Sequence, residues 1–126
     1  FIGENNTLQG TVQDIDGKVA TVRLDDGEII DCTPVNVSQP GERTQVSIRP
    51  ERVEYNRERL SPDAHTIHAE VLEFIYMGDI FRTRLRVAGN DDFIIKTRNA
   101  PDQRRLQRGE KIEIGWLPED CRALDA

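Results

Sequence analysis

The side chains that could do chemistry are few and widely spaced. His65 and His68 stand three residues apart. On a helix that spacing would offer two imidazoles on one face to a metal such as zinc. Here it falls at the start of a strand pattern, where residues three apart point to opposite faces, and the pair reads as two surface histidines. Cys32 and Cys121 lie far apart with no CxxC spacing. They read as small buried hydrophobes in a reducing compartment rather than as a disulfide or a metal site. No GxxxxGK[ST] phosphate loop, GxGxxG, GxSxG or HExxH occurs. No His, Cys and carboxylate spacing brings an acid, a base and a nucleophile together. The expectation is a non-enzymatic chain with no catalytic residue, no metal ligand and no cofactor of its own.

Charged residues are plentiful and call for a reading. Arg82, Arg84 and Arg86 form a comb along one face of a strand. Oligonucleotide-binding barrels use such faces together with aromatic stacking platforms. Phe81 lies on the opposite face and no aromatic interleaves with the arginines. The comb therefore reads first as a solvated face paired across strands with Glu or Asp, and second as a candidate contact for a protein partner. Asp25, Asp26, Glu28 and Asp31 cluster on one hairpin, and Asp91-Asp92 on another; they read as solubilising loop tips that discourage edge pairing. A net charge of −6 speaks against a general nucleic-acid binder.

Elements that position these residues follow from period-two alternation, the mark of half-buried antiparallel strands. Leu8, Gly10 and Val12 alternate with polar residues, as do Ala20, Val22 and Leu24, and Val46 and Ile48. Phe81, Thr83, Leu85 and Val87 do so again, followed by Ile112, Ile114 and Trp116. Turn pairs separate the runs: Asp16-Gly17, Asp26-Gly27, Pro40-Gly41, Gly78-Asp79, Gly89-Asn90 and Arg108-Gly109. Only Pro101 to Arg108 suggests a short helix. The run Val71 to Met77 is apolar on both faces of its strand, which suits a core position or a partner. With 126 residues the chain is one domain. Its longest apolar run is far short of the roughly 20 residues that span a bilayer, and no secretory signal opens it. It begins with Phe, which suggests a segment of a longer protein.

The two halves echo each other. Gly41-Glu42, Val46, Ile48 and Pro50-Glu51 are matched at the same Gly-to-Pro spacing by Gly109-Glu110, Ile114, Trp116 and Pro118-Glu119. Upstream, Thr7-Leu8 and Val12 match Thr66-Ile67 and Val71. The expected fold is all-β: two OB-like half-barrels, Greek-key and antiparallel, from a degenerate internal duplication. The first half covers about 1–58, a linker about 59–65, and the second half about 66–126.

Several words in order resemble a known family. Phe1-Ile2-Gly3-Glu4-Asn5-Asn6 with Leu8, Gly10 and Val12 looks like the segment leaving the ATPase domain of ABC-importer ATP-binding subunits. Ser47-Ile48-Arg49-Pro50-Glu51-Arg52-Val53 is similar to the signature of their transport-associated OB (TOBE) domain, and Glu70 to Asp79 resembles the strand and turn that follow it. Trp116 completes the series. The resemblance, strongest to the spermidine/putrescine type, implies a regulatory and dimerisation domain that is not catalytic alone. ATP and Mg would belong to the ATPase domain, which this chain lacks. Implied partners are a second copy of the subunit through a weak C2 contact, and permease subunits through the ATPase domain, at the cytoplasmic face of the membrane. No nucleic-acid partner is expected. Gly3, Asn6, Arg49, Pro50, Glu51, Gly78, Asp79 and Trp116 carry the family words in mainly structural roles. The alternative from another class is an OB-type binding module for an oligonucleotide, an oxyanion or another small ligand.

Overall fold

The computed structural model describes residues 5–55, 60, 62, 65–99 and 105–125. The first half builds β1 (Asn6–Asp16), β2 (Val19–Leu24), β3 (Ile29–Pro34) and β4 (Arg43–Ile48), then a 3-10 turn at Pro50–Arg52. The second builds β5 (His65–Tyr76), β6 (Ile80–Val87), β7 (Asn90–Arg98) and β8 (Lys111–Trp116), a second 3-10 turn at Pro118–Asp120, and β9 (Cys121–Asp125). Strands β1, β2, β3, β9 and β4 close a barrel, while β7, β6, β5 and β8 form a four-stranded sheet. The all-β, OB-like architecture agrees with the sequence expectation.

The duplication is visible bond by bond. Val12 donates its N–H to Glu42 and its carbonyl accepts from Gly41, at 2.8 and 2.7 Å; Val71 does the same with Glu110 and Gly109 at 2.8 and 2.7 Å. A register shift follows Val12 in β1 and Val71 in β5, so each long strand carries a bulge at the same place. Glu42 Oε1 accepts from the backbone N–H of Gln39, and Glu110 Oε1 from that of Gln107. Those acids recur because each satisfies a turn N–H that the ladder cannot reach. Gly10 lies in β1 where a Cβ would come within 2.7 Å of the Arg23 carbonyl oxygen. The closing barrel has no room there for a side chain.

The halves exchange their ends. β9, last in the chain, pairs antiparallel with β4 in the first barrel, Ser47 facing Arg122, and meets β3 in parallel through Thr33 and Arg122. Reciprocally, Glu54 from the first half bridges to Gly115 on β8. Strand pairing thus crosses the division expected near 58, and most of the expected linker, 59–65, lies outside the described residues. A single hydrophobic cluster joins Leu8, Val22, Ile30 and Ile48 to Val71, Leu85, Phe93 and Trp116. At about 1.5–3 kcal/mol for each fully buried large apolar side chain, this shared core dominates the stability of the domain.

Four expectations are corrected. The ladder is not wholly antiparallel, because β9 enters the first barrel from the other half and runs along β3. The helix expected from Pro101 to Arg108 is not formed over its described part: Arg105–Gln107 has no regular structure and Arg108-Gly109 is a turn, while 101–104 lie outside the described residues. The run Val71 to Met77 is core only at its start. Val71 is fully buried, but Ile75, Tyr76 and Met77 are 39, 59 and 53% exposed where β5 runs on past β8, whose pairing with it ends at Glu70 opposite Lys111. The second central turn falls on Ala88-Gly89 rather than Gly89-Asn90, with both residues at positive φ, the geometry of a type I′ hairpin.

Candidate functional site

The residues singled out in the sequence do not converge on one place. Gly3 lies outside the described residues. Asn6 is buried; its Nδ2 donates to the Ile94 carbonyl at 2.6 Å and its Oδ1 accepts from the Ile94 N–H at 2.7 Å, so β1 is tied to β7 across the two halves. Gly78 adopts φ +89° and closes the hairpin between β5 and β6, which a residue with a Cβ would strain. Its carbonyl accepts from Asn99 Nδ2 at 3.1 Å, and that of Asp79 from the Asn99 N–H at 3.0 Å. Trp116 is 2% exposed and stacks on Phe93 with ring centroids 6.4 Å apart. Its indole N–H lies toward the Cys121 sulfur without closing a hydrogen bond of good geometry.

The comb of arginines pairs across strands. Arg84 and Arg86 stand opposite Glu73 and Glu70 in the β5–β6 register. Arg86 Nε donates to Asp91 Oδ1 at 2.7 Å and its Nη1 to Glu70 Oε1 at 3.2 Å. Arg84 reaches the Asp91 carbonyl at 3.0 Å and Glu73 at 3.9 Å. Arg82 faces Ile75 on one side and Lys96 on the other. The Arg86 hydrogen bond holds the Asp91 carboxyl below its ordinary range. On the barrel, the Arg43 guanidinium grips Asp25 with two hydrogen bonds of 2.7 and 3.1 Å and lowers that carboxyl likewise. Asp26 Oδ1 accepts from the Glu28 N–H at 3.0 Å, an Asx turn at the hairpin tip.

Cys32 and Cys121 are brought together, although nearly the whole chain separates them. Both are fully buried on neighbouring strands β3 and β9, with their sulfurs 3.0 Å apart and no disulfide. Burial pushes the Cys121 thiol well above its ordinary value, and Cys32 adds to the rise. Cys121 is therefore held as a neutral thiol, a poor nucleophile and a poor metal ligand. Among the described residues no cluster of three or more His, Cys, Asp or Glu side chains could hold a metal ion. His68 is exposed on β5 opposite Glu113.

What the sequence reading missed is the junction of the two 3-10 turns. Ser47 faces Arg122 as Gly115 faces Glu54, so Arg52 in the first turn is the equivalent of Asp120 in the second. These two equivalents meet, Arg52 Nε standing 3.9 Å from Asp120 Oδ1. Pro50 is buried beneath the turn, while Arg49 and Glu51 are exposed; Arg49 is extended at φ −76° and ψ 138°, as a residue before Pro must be. A polar cleft of about 270 Å³ opens here beside Ser47, Arg49, Arg52, Asp120 and Arg122. A larger cleft of about 640 Å³, more apolar, lies between Gly17–Val19, Thr33-Pro34 and Leu117–Glu119. The superposition of Pro50-Glu51 on Pro118-Glu119 in the sequence was the available signal, since one step further it sets Arg52 against Asp120.

No described helix is long and apolar enough to cross a membrane. Comparison with known proteins now gives the architecture a context. Residues 46–124 match the family model of the TOBE domain. The spermidine/putrescine import ATP-binding protein PotA of Rubrobacter xylanophilus is 27% identical over 126 residues, which cover 98% of this chain and 32% of that protein. The protein of the same description from Frankia alni is 26% identical over 134 residues, 98% of this chain and 29% of that protein. The chain thus spans about a third of the length of these relatives. Among solved structures, the cytoplasmic molybdate-binding protein ModG with molybdate bound superposes with a TM-score of 0.79, covering 96% of each chain at 13% identity. That likeness is one of fold. The chain belongs to the TOBE domain family.

Proposed function

We propose that this chain is the regulatory and dimerisation domain of the ATP-binding subunit of an ABC importer of the polyamine type, non-catalytic by itself. One observation carries the reading: the family match lies on a barrel-and-sheet unit that aligns with only a third of the importer ATP-binding relatives. ATP and Mg would be held by another part of such a subunit, permeases would be engaged there, and the assembly would sit at the cytoplasmic face of the membrane. Two copies of this domain would meet about a C2 axis through a small, mainly polar contact. The buried Cys32 and Cys121, and Arg84 and Arg86 already engaged by Glu70, Glu73 and Asp91, offer no acid, base or nucleophile for turnover. Calorimetry of the chain with Mg-ATP tests this. The expected result is no micromolar binding and no hydrolysis; either one would overturn the reading.

A second reading, a small-ligand module of the OB type, is favoured by the fold shared with the molybdate-binding ModG. It is compatible with the first if the ligand reports to the subunit that carries the domain.

A further inference from the structure

The barrel core sets the chain's two cysteines side by side at the place where the halves exchange strands. Cys32 lies on β3, from the first half, and Cys121 opens β9, from the second. Their pairing extends by one step the parallel register of Thr33 with Arg122 and Pro34 with Ala123. Neighbouring strands lie about 4.7–4.9 Å apart, inside the range of about 4.4–6.8 Å between Cα atoms that a disulfide tolerates. The sulfurs stand 3.0 Å apart. Packed carbon atoms, which are smaller than sulfur, sit at about 3.5–4.0 Å. A bonded pair sits at about 2.05 Å, so an approach of about 1 Å would join the two sulfurs.

Access to the pair is set by β9. Both cysteines are fully buried, and burial keeps the Cys121 thiol protonated while β9 is seated. A reagent in solution therefore meets them only when β9 parts from its neighbours. That strand has five residues, paired with β4 over five positions and with β3 over two. Thr44 on β4 adds a side-chain tie, its Oγ1 donating to the Leu124 carbonyl at 2.7 Å. A strand this short can open locally at less cost than unfolding the whole domain.

We infer that Cys32 and Cys121 form an oxidative modification site, a dithiol that a small disulfide such as oxidised glutathione converts into an intrachain disulfide fastening β9 into the barrel. With β9 open, one cysteine gives its proton to water and its thiolate attacks a sulfur of the oxidant, expelling one glutathione thiolate. As β9 closes, the second cysteine, also deprotonated, attacks the cysteine sulfur of that mixed disulfide and expels the second glutathione. One S–S bond forms as one breaks. Two electrons pass from the cysteines to the oxidant, and the two released protons end on the glutathione thiols. The new bond joins positions 89 apart and makes the exchange of ends covalent. In a reducing compartment the pair rests as the dithiol, and oxidising conditions fasten it. The assignment stands independently of the importer reading.

The test is incubation of the reduced, folded chain with excess oxidised glutathione at mildly alkaline pH, followed by alkylation of remaining thiols and intact-mass measurement. The expected end product is a monomer that has lost two hydrogen atoms and takes up no alkylating agent. With two cysteines in the chain, that product is the Cys32–Cys121 bond. Its urea midpoint should lie roughly 1 M above that of the reduced chain, as closing a long loop implies, and dithiothreitol in urea should reverse the gain. Thr44→Val, which removes one buried tie on β9, should speed oxidation about fivefold. A chain that stays a dithiol until urea unfolds it would overturn the site. So would an end product of stable mixed disulfides or cross-linked dimers, a midpoint that does not rise, or a rate that Thr44→Val leaves unchanged. Should that variant fail to fold, the product and midpoint of the unaltered chain decide alone.

Discussion

Asn6 grips the backbone of Ile94 with both ends of its carboxamide, donating at 2.6 Å and accepting at 2.7 Å. The two residues lie on β1 and β7, in different halves, and both are buried. β7 is an outer strand of its sheet, so its Ile94 N–H and carbonyl find in one side chain what a further strand would otherwise supply. Replacing Asn6 with Ala would strand two buried backbone groups. The expected loss is about 2–3 kcal/mol in chemical unfolding, since an orphaned buried polar group costs about 1–3 kcal/mol. Asn6→Asp keeps the acceptor and loses the donor, and should fall between. A loss under about 0.5 kcal/mol for the Ala variant, typical of a surface change, would deny the clamp its role.

Reciprocal exchange of ends makes a second prediction. β9 fills the first barrel between β3 and β4, burying Cys121 and Ala123, while Glu54 bridges to β8. Neither half holds all the strands it needs. A chain ending at Asp120 should lose its cooperative unfolding transition, because the barrel opens along two strand edges. The same should hold for residues 1–58 alone. A truncated chain that melts cooperatively within a few degrees of the intact one would reject the interlock.

How much of this was legible in the residues can be judged element by element. Alternation marked β1, β2, β4, β6 and β8 because each has one face in the core and one in water. It failed on β3, whose run Ile29-Ile30-Asp31-Cys32 breaks the alternation, and on β9, whose five residues are too few to show a period. β7 hides for another reason: Phe93, Ile94 and Ile95 are all buried, the odd ones in the core and Ile94 against Asn6. The apolar end of β5 misled because the strand runs on past Glu70, where β8 stops pairing with it, and Ile75 to Met77 are left exposed. Arg82, Arg84 and Arg86 read correctly as a comb, since cross-strand carboxylates were available in sequence at Glu70 and Glu73. The Arg52–Asp120 junction could not be seen from alternation at all, because it depends on how the two repeats meet.

Stability should fall at both ends of the pH scale, for different reasons. Arg43 holds Asp25, and Arg86 holds Asp91, below the ordinary carboxyl value of 3.8. A depressed carboxyl contributes stability above its ordinary value, and that contribution is lost as pH falls through the lowered one. Both pairs are exposed, so the acid loss should be shallow and should shrink in high salt. Cys121 is displaced the other way: burial raises it well above 9.0, so its stabilising effect is complete below that value and is lost as pH rises beyond it. Urea midpoints measured from about pH 3 to 10 should show a plateau between about pH 5 and 8. The double variant Asp25→Asn, Asp91→Asn should flatten the acid limb and leave the alkaline limb in place. An acid limb unchanged by that variant would show that other carboxylates set it.

The domain's proposed role rests on self-association, and sedimentation of the chain measures it directly. Exposed large apolar side chains among the described residues are Ile29, Val35 and the Ile75–Met77 tip, too little for the apolar interfaces of obligate dimers. Carried on a larger subunit, a weak contact would gain from high effective concentration. Across a concentration series from nanomolar to near-millimolar, the account predicts monomer at low micromolar concentration and a dimer that grows as concentration rises. A strict monomer throughout, or a dimer that persists at nanomolar concentration, would contradict it.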